Sequence, residues 1–171
     1  MANDPPQEEP LIPRLLATNA LRANLSKHMD LNKMADSKAS MIMTAASLII
    51  TITLTQHHKL DLITILLLAG FGIMAVVFSI LAIIPPLHVS DRTNLFYFRS
   101  FVELSENEFK RQFQEVITDR QKLYDAYLHE IYYLGKHRLT RKYRLIRNGL
   151  WSLLFGLLGG TVAAIIIHVP L

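Results

Sequence analysis

Three stretches of this chain contain no Lys, Arg, Asp or Glu: residues 39–58, 62–90 and 148–171. A bilayer hydrocarbon core of about 30 Å needs roughly 20 apolar residues in a helix that rises 1.5 Å per residue. Each stretch reaches that length, and the first, diluted by Ser and Thr, is the least apolar. Only 19% of the chain is charged and 51% is hydrophobic, against about 25% charged for a soluble domain. The excess apolar surface therefore belongs in lipid. The expected architecture is an all-α integral membrane protein with three transmembrane helices plus amphipathic cytoplasmic helices, and no β-sheet.

The distribution of Lys and Arg sets the expected orientation. Five precede the first span (Arg14, Arg22, Lys27, Lys33 and Lys38), twelve lie between Arg92 and Arg147, and the turn between the first two spans holds only Lys59. The N-terminus and the 88–147 segment are thus expected in the cytoplasm, with the C-terminus across the membrane. Residues 1–10 are polar and acidic, and no apolar core of a signal peptide follows, so the first span reads as an uncleaved anchor. Thirteen of the fourteen acids share the cytoplasmic side with the bases. The net charge of +4 therefore reads as a mixed solvated surface and calls for no nucleic-acid partner. Lys136, Arg138, Arg141, Lys142, Arg144 and Arg147 crowd the mouth of the third span. Such a cluster ordinarily meets lipid headgroups, a ligand phosphate being the alternative.

Residues 1–12, rich in Pro and acid, read as a disordered tail. Residues 13–38 carry Leu15, Leu16, Leu21, Leu25, Met29, Leu31 and Met34 at helical spacing, and nothing interrupts this helix before the first span over 39–57. The second span covers 62–85, stopped by Pro85-Pro86 because proline cannot continue a helix. In the 88–147 segment, Ser90 or Asp91 can cap a short helix. Ser105 with Glu108 forms a capping box, and Phe109, Phe113, Val116, Ile117, Leu123, Tyr124, Tyr127, Leu128, Ile131 and Leu134 form an amphipathic stripe up to Gly135. The third span covers 148–169. So few helices outside the membrane bury little core alone, which favours a homo-oligomer.

Two ridges mark the spans. Ser40, Thr44, Ser47, Thr51 and Thr55 line one face of the first, with Asp36 one turn beyond. Ser152, Gly156, Gly160 and Ala164 recur every fourth residue in the third. Small residues allow close helix contact, and hydroxyls can hydrogen-bond across it. Both ridges can simply bundle the spans of one chain. Alternatively they join subunits, with the hydroxyl ridge lining a path. No ionisable acid or base lies within a span, which argues against a dedicated transporter or proton relay.

Catalytic and cofactor chemistry is missing. Cysteine is absent, which excludes disulfides, thiolate metal sites and thiol nucleophiles. His57-His58 lacks an evident third metal ligand, and there is no phosphate-cradling Gly-rich loop or nucleophile elbow. Arg22 and His28 fit the loose spacing of some helical ribonucleases, a pairing expected by chance in a chain with seven His. The chain reads as no enzyme, with no cofactor and no metal.

Residues 24–51, NLSKHMDLNKMADSKASMIMTAASLIIT, carry a family resemblance through Ala35-Asp36-Ser37-Lys38-Ala39-Ser40. Pro85-Pro86, the aromatic stretch 94–99 and Lys142-Tyr143-Arg144 extend it. Together these motifs span most of residues 19–155, and the chain resembles the PycTM-type membrane effectors of Pycsar antiphage systems. The resemblance implies a bacterial inner-membrane protein. It would sense cyclic CMP or cyclic UMP made by a partner pyrimidine nucleotide cyclase and impair the membrane, giving abortive infection. Some effectors in such systems carry a cyclic-nucleotide-binding β-roll, for which this chain has no strand pattern. A ligand would have to enter a helical pocket formed by the N-terminal and 88–147 segments and shared between subunits.

A cyclic nucleotide needs a cation for its phosphate and an aromatic face for its base. Arg92, Asn94, Phe96, Tyr97 and Arg99 offer both, although Phe96 and Tyr97 equally suit a headgroup-level anchor. Asp36 and Lys38 sit where a charge pair could hold a resting state, or where a base snorkels beside a solvated acid. The competing function is a non-enzymatic membrane scaffold or signalling adaptor that recruits a cytoplasmic partner. A membrane-anchored ribonuclease using Arg22 and His28 is the third class.

Overall fold

In a computed structural model, residues 11–84, 95, 101 and 104–168 are described, with side chains from Leu15 to Ile167. The expected tail up to Pro10, Pro85-Pro86 and most of the expected helix after Ser90 lie outside these residues. Every described element is helical, and no strand occurs among the described residues. Helix α1 runs without a break from Leu11 to Thr55. It contains no Gly, and its single Pro lies in the first turn, where the missing N–H costs nothing.

A single 3₁₀ turn, His57–Lys59, leads to α2, Leu62–Ile83. Asp61 caps α2, its two carboxylate oxygens accepting from the Thr64 N–H at 2.9 Å and the Thr64 hydroxyl at 2.7 Å. One of the orphan N–H groups at this helix start is thereby satisfied, and the Thr64 hydroxyl with it. Then follow α3 (Glu106–Thr118), α4 (Arg120–Tyr133), a π-helical turn (Leu134–Leu139) and α5 (Thr140–His168). Three helical stretches, Leu15–Thr55, Leu62–Ile83 and Arg120–Ile167, are long and apolar enough to cross a membrane.

The amphipathic stripe beginning at Phe109 is divided into two helices, not carried by one. Asp119 closes α3 and caps α4, its Oδ1 accepting from the N–H groups of Gln121 at 2.9 Å and Lys122 at 3.3 Å. A side chain that offers the backbone this alternative favours a new helix start over continuation. Ser105 caps α3, accepting the Glu108 N–H at 3.3 Å.

The chain divides into two units, Met1–Asp30 with His88–Gly135, and Leu31–Leu87 with Lys136–Leu171. The second holds a core in which alanine predominates: Ala35, Ala39 and Ala46 with Ile42 from α1, Ala75 and Ala82 from α2, and Ile146 from α5. Lipid tails are as apolar as Leu, so burial in a bilayer supplies little drive for helices to associate. Close van der Waals contact must supply it, and alanine permits that contact. Larger apolar residues, among them Leu48, Ile52, Leu66, Ile73, Trp151 and Ile166, point outward.

At Gly156 a Cβ would lie 2.8 Å from Phe71 Cβ and 3.4 Å from the Leu67 carbonyl oxygen. Neither neighbour is the free end of a side chain, so the helices themselves would have to part. A Cβ at Gly70 would meet nothing within 4 Å. Gly156→Ala should therefore lower the thermal midpoint in detergent by several degrees, the effect of about 1–3 kcal/mol of overpacking. Gly70→Ala should leave the midpoint unchanged or slightly raised. Equal effects at the two sites would contradict the close α2–α5 contact.

Candidate functional site

Two of the motifs that carry the family resemblance meet at the head of the spans. Asp36 and Lys38 lie on the last turns of α1 before its charge-free part, and Lys142-Tyr143-Arg144 lies on the first turn of α5. The Lys142 ammonium stands 2.7 Å from Asp36 Oδ1 and donates to Asn32 Oδ1 at 2.8 Å. Only 12% of the Lys142 side chain is exposed, against 41% for Asp36. The ammonium aligns as a hydrogen bond with Asn32, while its contact with Asp36 is ionic and leaves that oxygen without an aligned donor. The Tyr143 hydroxyl donates to the Leu31 carbonyl at 3.2 Å, and the Lys38 ammonium lies 5.7 Å from the centre of the Tyr143 ring, within cation–π reach. Asp36 and Lys38 thus reach successive residues of the same α5 turn. Asn32 belongs to the clasp and was not singled out from sequence, though it sits four residues before Asp36 on the same helix face.

A cavity of about 170 Å³ opens beside the clasp, lined by Asn32, Asp36, Leu81–Ile84 at the end of α2, and Arg138, Arg141, Lys142 and Leu145.

The two membrane ridges occupy opposite situations. Ser152, Gly156 and Gly160 are buried. The Ser152 hydroxyl donates to the Phe71 carbonyl at 3.0 Å, and Gly160 faces Leu68. This ridge packs α5 against α2 within one chain. Ser40, Thr44, Ser47, Thr51 and Thr55 are all exposed. Thr51 donates to the Ser47 carbonyl at 2.9 Å and Thr55 to the Thr51 carbonyl at 2.7 Å, both within α1.

In the first unit, Thr18 and Leu21 of α1 face Ile117, Arg120, Leu123, Tyr124 and Tyr127 across a groove of about 230 Å³. The Arg120 guanidinium lies 5.5 Å from the centre of the Tyr124 ring, and the Tyr124 and Thr18 hydroxyls are 3.4 Å apart. The sequence places these tyrosines on the amphipathic stripe without a binding role. The missed signal was Arg120, which shares their helix face at spacings of four and seven. Nearby, the Lys122 ammonium donates to the Glu115 carboxylate across the α3–α4 junction. That hydrogen bond, with the attraction between the charges, holds Glu115 below its ordinary value and Lys122 above its own.

Arg92, Asn94, Phe96, Tyr97 and Arg99 lie outside the described residues. Arg22 and His28 point about 120° apart around α1 at 100° per residue, and His28 Nδ1 bonds its own helix at the Asn24 carbonyl, 2.9 Å away. The His57 and His58 rings touch, but no cluster of His, Asp and Glu able to hold a metal occurs among the described residues.

The clasp can be measured as an energetic unit. A double-mutant cycle with Asp36→Asn and Lys142→Met should show coupling of about 0.5–3 kcal/mol in unfolding free energy, the range for groups in direct contact. Lys142→Met should be the costlier single change, because it strips partners from both Asp36 and Asn32. Additive effects would show that the two side chains do not act together.

A family model described as PycTM, Pycsar effector protein domain, matches residues 20–169. No curated protein and no solved structure matches the chain.

Proposed function

The chain belongs to the Pycsar effector family, and from that premise we propose that it impairs membrane integrity when cyclic CMP or cyclic UMP binds its cytoplasmic helices. It is an antiphage defence effector and a membrane protein. On our reading it sits in the bacterial inner membrane, with the N-terminus and the 88–147 segment in the cytoplasm and the C-terminus in the periplasm. It catalyses nothing. Its signal comes from a pyrimidine nucleotide cyclase as a diffusible messenger, and its action ends in abortive infection.

The observation that carries this reading is the Thr18–Tyr127 groove, which combines an arginine, two tyrosines and two threonines. An aromatic face stacks a base, a guanidinium pairs with a phosphate, and hydroxyls read a base edge. At about 230 Å³, the groove falls below the roughly 300 Å³ of the smallest usual ligand pockets. A second copy of the chain would complete it, which agrees with a homo-oligomer. Arg92, Asn94, Phe96, Tyr97 and Arg99 remain candidates for closing the same pocket.

Ligand acts by favouring one arrangement of the helices over another. The clasp of Asp36 and Lys38 against Lys142 and Tyr143 supports a resting state held at the head of the spans. The exposed hydroxyl ridge supports the assembled state, in which subunits meet along α1 and the bilayer loses its seal.

The test uses liposomes that contain the purified protein and an entrapped dye. Cyclic CMP or cyclic UMP should release the dye, and cyclic AMP should not. Tyr124→Leu should weaken ligand binding about tenfold, since stacking contributes about 1–3 kcal/mol per base. Paired Thr44→Leu and Thr51→Leu changes should abolish release while ligand still binds. No release with any nucleotide, from folded and inserted protein, would overturn the reading in favour of a scaffold.

A further inference from the structure

The outward face of α5 changes chemistry along its length in the order that one leaflet of a bilayer does. At 100° per residue, Arg144, Arg147, Trp151, Phe155, Leu158 and Val162 fall within an arc of about 80°, and all six are exposed. Ser152, Gly156 and Gly160, which pack toward α2, lie outside this arc. Counted from the head of the span, the arc presents two guanidiniums, an indole, a phenyl ring and then aliphatic side chains. The Trp151 and Phe155 rings stack with centres 5.5 Å apart and planes 24° from parallel, so they form one continuous surface along the helix. From Trp151 to Val162 the apolar part spans about 16 Å, close to half of a hydrocarbon core of about 30 Å.

The charge at the head of this strip has no counterpart in its own helix. α5 contains Arg141, Lys142, Arg144 and Arg147 and no Asp or Glu. Asp36, the acid that meets α5 from α1, stands 2.7 Å from Lys142. Arg144 and Arg147 make no hydrogen bond or ion pair among the described residues. The Trp151 indole, which can only donate, has no acceptor among them either. Lipid tails alone would cover Phe155, Leu158 and Val162. Two guanidiniums and an indole N–H at the head of the same strip add a demand for anionic oxygens at that depth. A phospholipid meets the whole series in order, with phosphate, then ester oxygens, then chains. Tryptophan is enriched at the membrane–water boundary for the same reason.

We propose that the Arg144–Val162 strip of α5 binds an anionic phospholipid. The two guanidiniums hold its phosphate oxygens, the Trp151 N–H meets its ester region, and Phe155, Leu158 and Val162 carry one acyl chain. A zwitterionic lipid offers the same phosphate, but its own ammonium competes with the arginines, so the strip selects for net negative charge. The lipid composition of the membrane then sets how firmly α5 is held at headgroup depth. The proposal stands on the third span and its flanking charges, and not on nucleotide sensing.

The chain has one tryptophan, so its fluorescence reports this strip alone. The full chain in dodecyl maltoside, a detergent without phosphate, is titrated with brominated phosphatidylglycerol, and separately with phosphatidylcholine carrying the same brominated chains. Bromine quenches the indole on contact. Each arginine near the surface favours an anionic lipid by about fivefold. The wild type should therefore reach half-quenching with at least about tenfold less phosphatidylglycerol than phosphatidylcholine. Paired Arg144→Gln and Arg147→Gln should shrink that preference to under about twofold. Paired Arg22→Gln and Lys27→Gln, which remove equal charge from exposed positions on α1, should leave the preference as it is in the wild type. That pattern establishes the site. Equal quenching of the wild type by the two lipids overturns the proposal, and equal losses in both paired variants reduce it to general attraction and overturn it too. Absence of quenching by either lipid means that a protein surface, such as a second copy, covers the strip, and also overturns it. If the arginine pair unfolds, Arg147→Gln alone decides: a loss of about fivefold is expected, and an unchanged preference overturns the proposal. No nucleotide enters the experiment, so dye release driven from the Tyr124 groove stands or falls separately.

Discussion

Helices immersed in lipid gain little by hiding apolar side chains from one another, so a bundle of three spans depends on how closely its backbones can approach. In this protein the approach is set by Ala35, Ala39, Ala46, Ala75 and Ala82, with Gly156 and Gly160 on α5. Large residues are displaced to the outside, where they meet solvent of their own kind. Buried hydroxyls follow the same logic. Thr53 and Ser79 donate to carbonyls four residues earlier in their own helices, while Ser152 reaches across to α2.

Above this tightly fitted seam, the polar contacts change character. Lys142 has one carboxylate, one amide and little exposure, so its position is fixed by direct bonds and not by solvent. A charge held this way costs far more to leave unpaired than it contributes when paired. The clasp is therefore suited to a device with two states. It is stable while intact, and losing Asp36 leaves the Lys142 charge, poorly exposed to water, without its counterpart.

The spans were legible because lipid imposes a single demand, about 20 residues without charge, and the sequence meets it three times. The division of the amphipathic stripe at Asp119 was legible in principle. Between Ile117 and Leu123 no apolar residue appears, a missing turn that hydrophobic spacing passes over unless the gap itself is read. Ridges were legible as faces and no further. Periodicity places Thr44 and Thr51 together, and likewise Gly156 and Gly160, but it is silent on which ridge a neighbouring helix covers. That depends on how α1, α2 and α5 rotate against each other. The meeting of Asn32 with Lys142 joins residues 110 positions apart, and no local pattern encodes such a contact. Arg120 looked like one more solvated base until folding set it against Tyr124.

The hydroxyls along α1 have a further consequence. Thr51 and Thr55 already donate to carbonyls of their own helix, so a protomer alone in lipid carries no unmet demand there. When a neighbour arrives, a rotation about one side-chain bond can redirect a hydroxyl across the contact, and one hydrogen bond is exchanged for another of similar strength. Contacts of this kind between membrane helices are worth only about 0.6 kcal/mol each on average. On the proposed assembly along this ridge, association would be close to thermoneutral, and crowding in the plane of the bilayer would decide how many protomers are joined. Under that proposal, copy number per unit area would become a control variable beside the proposed nucleotide signal, so a cell could keep such a protein dispersed simply by making little of it.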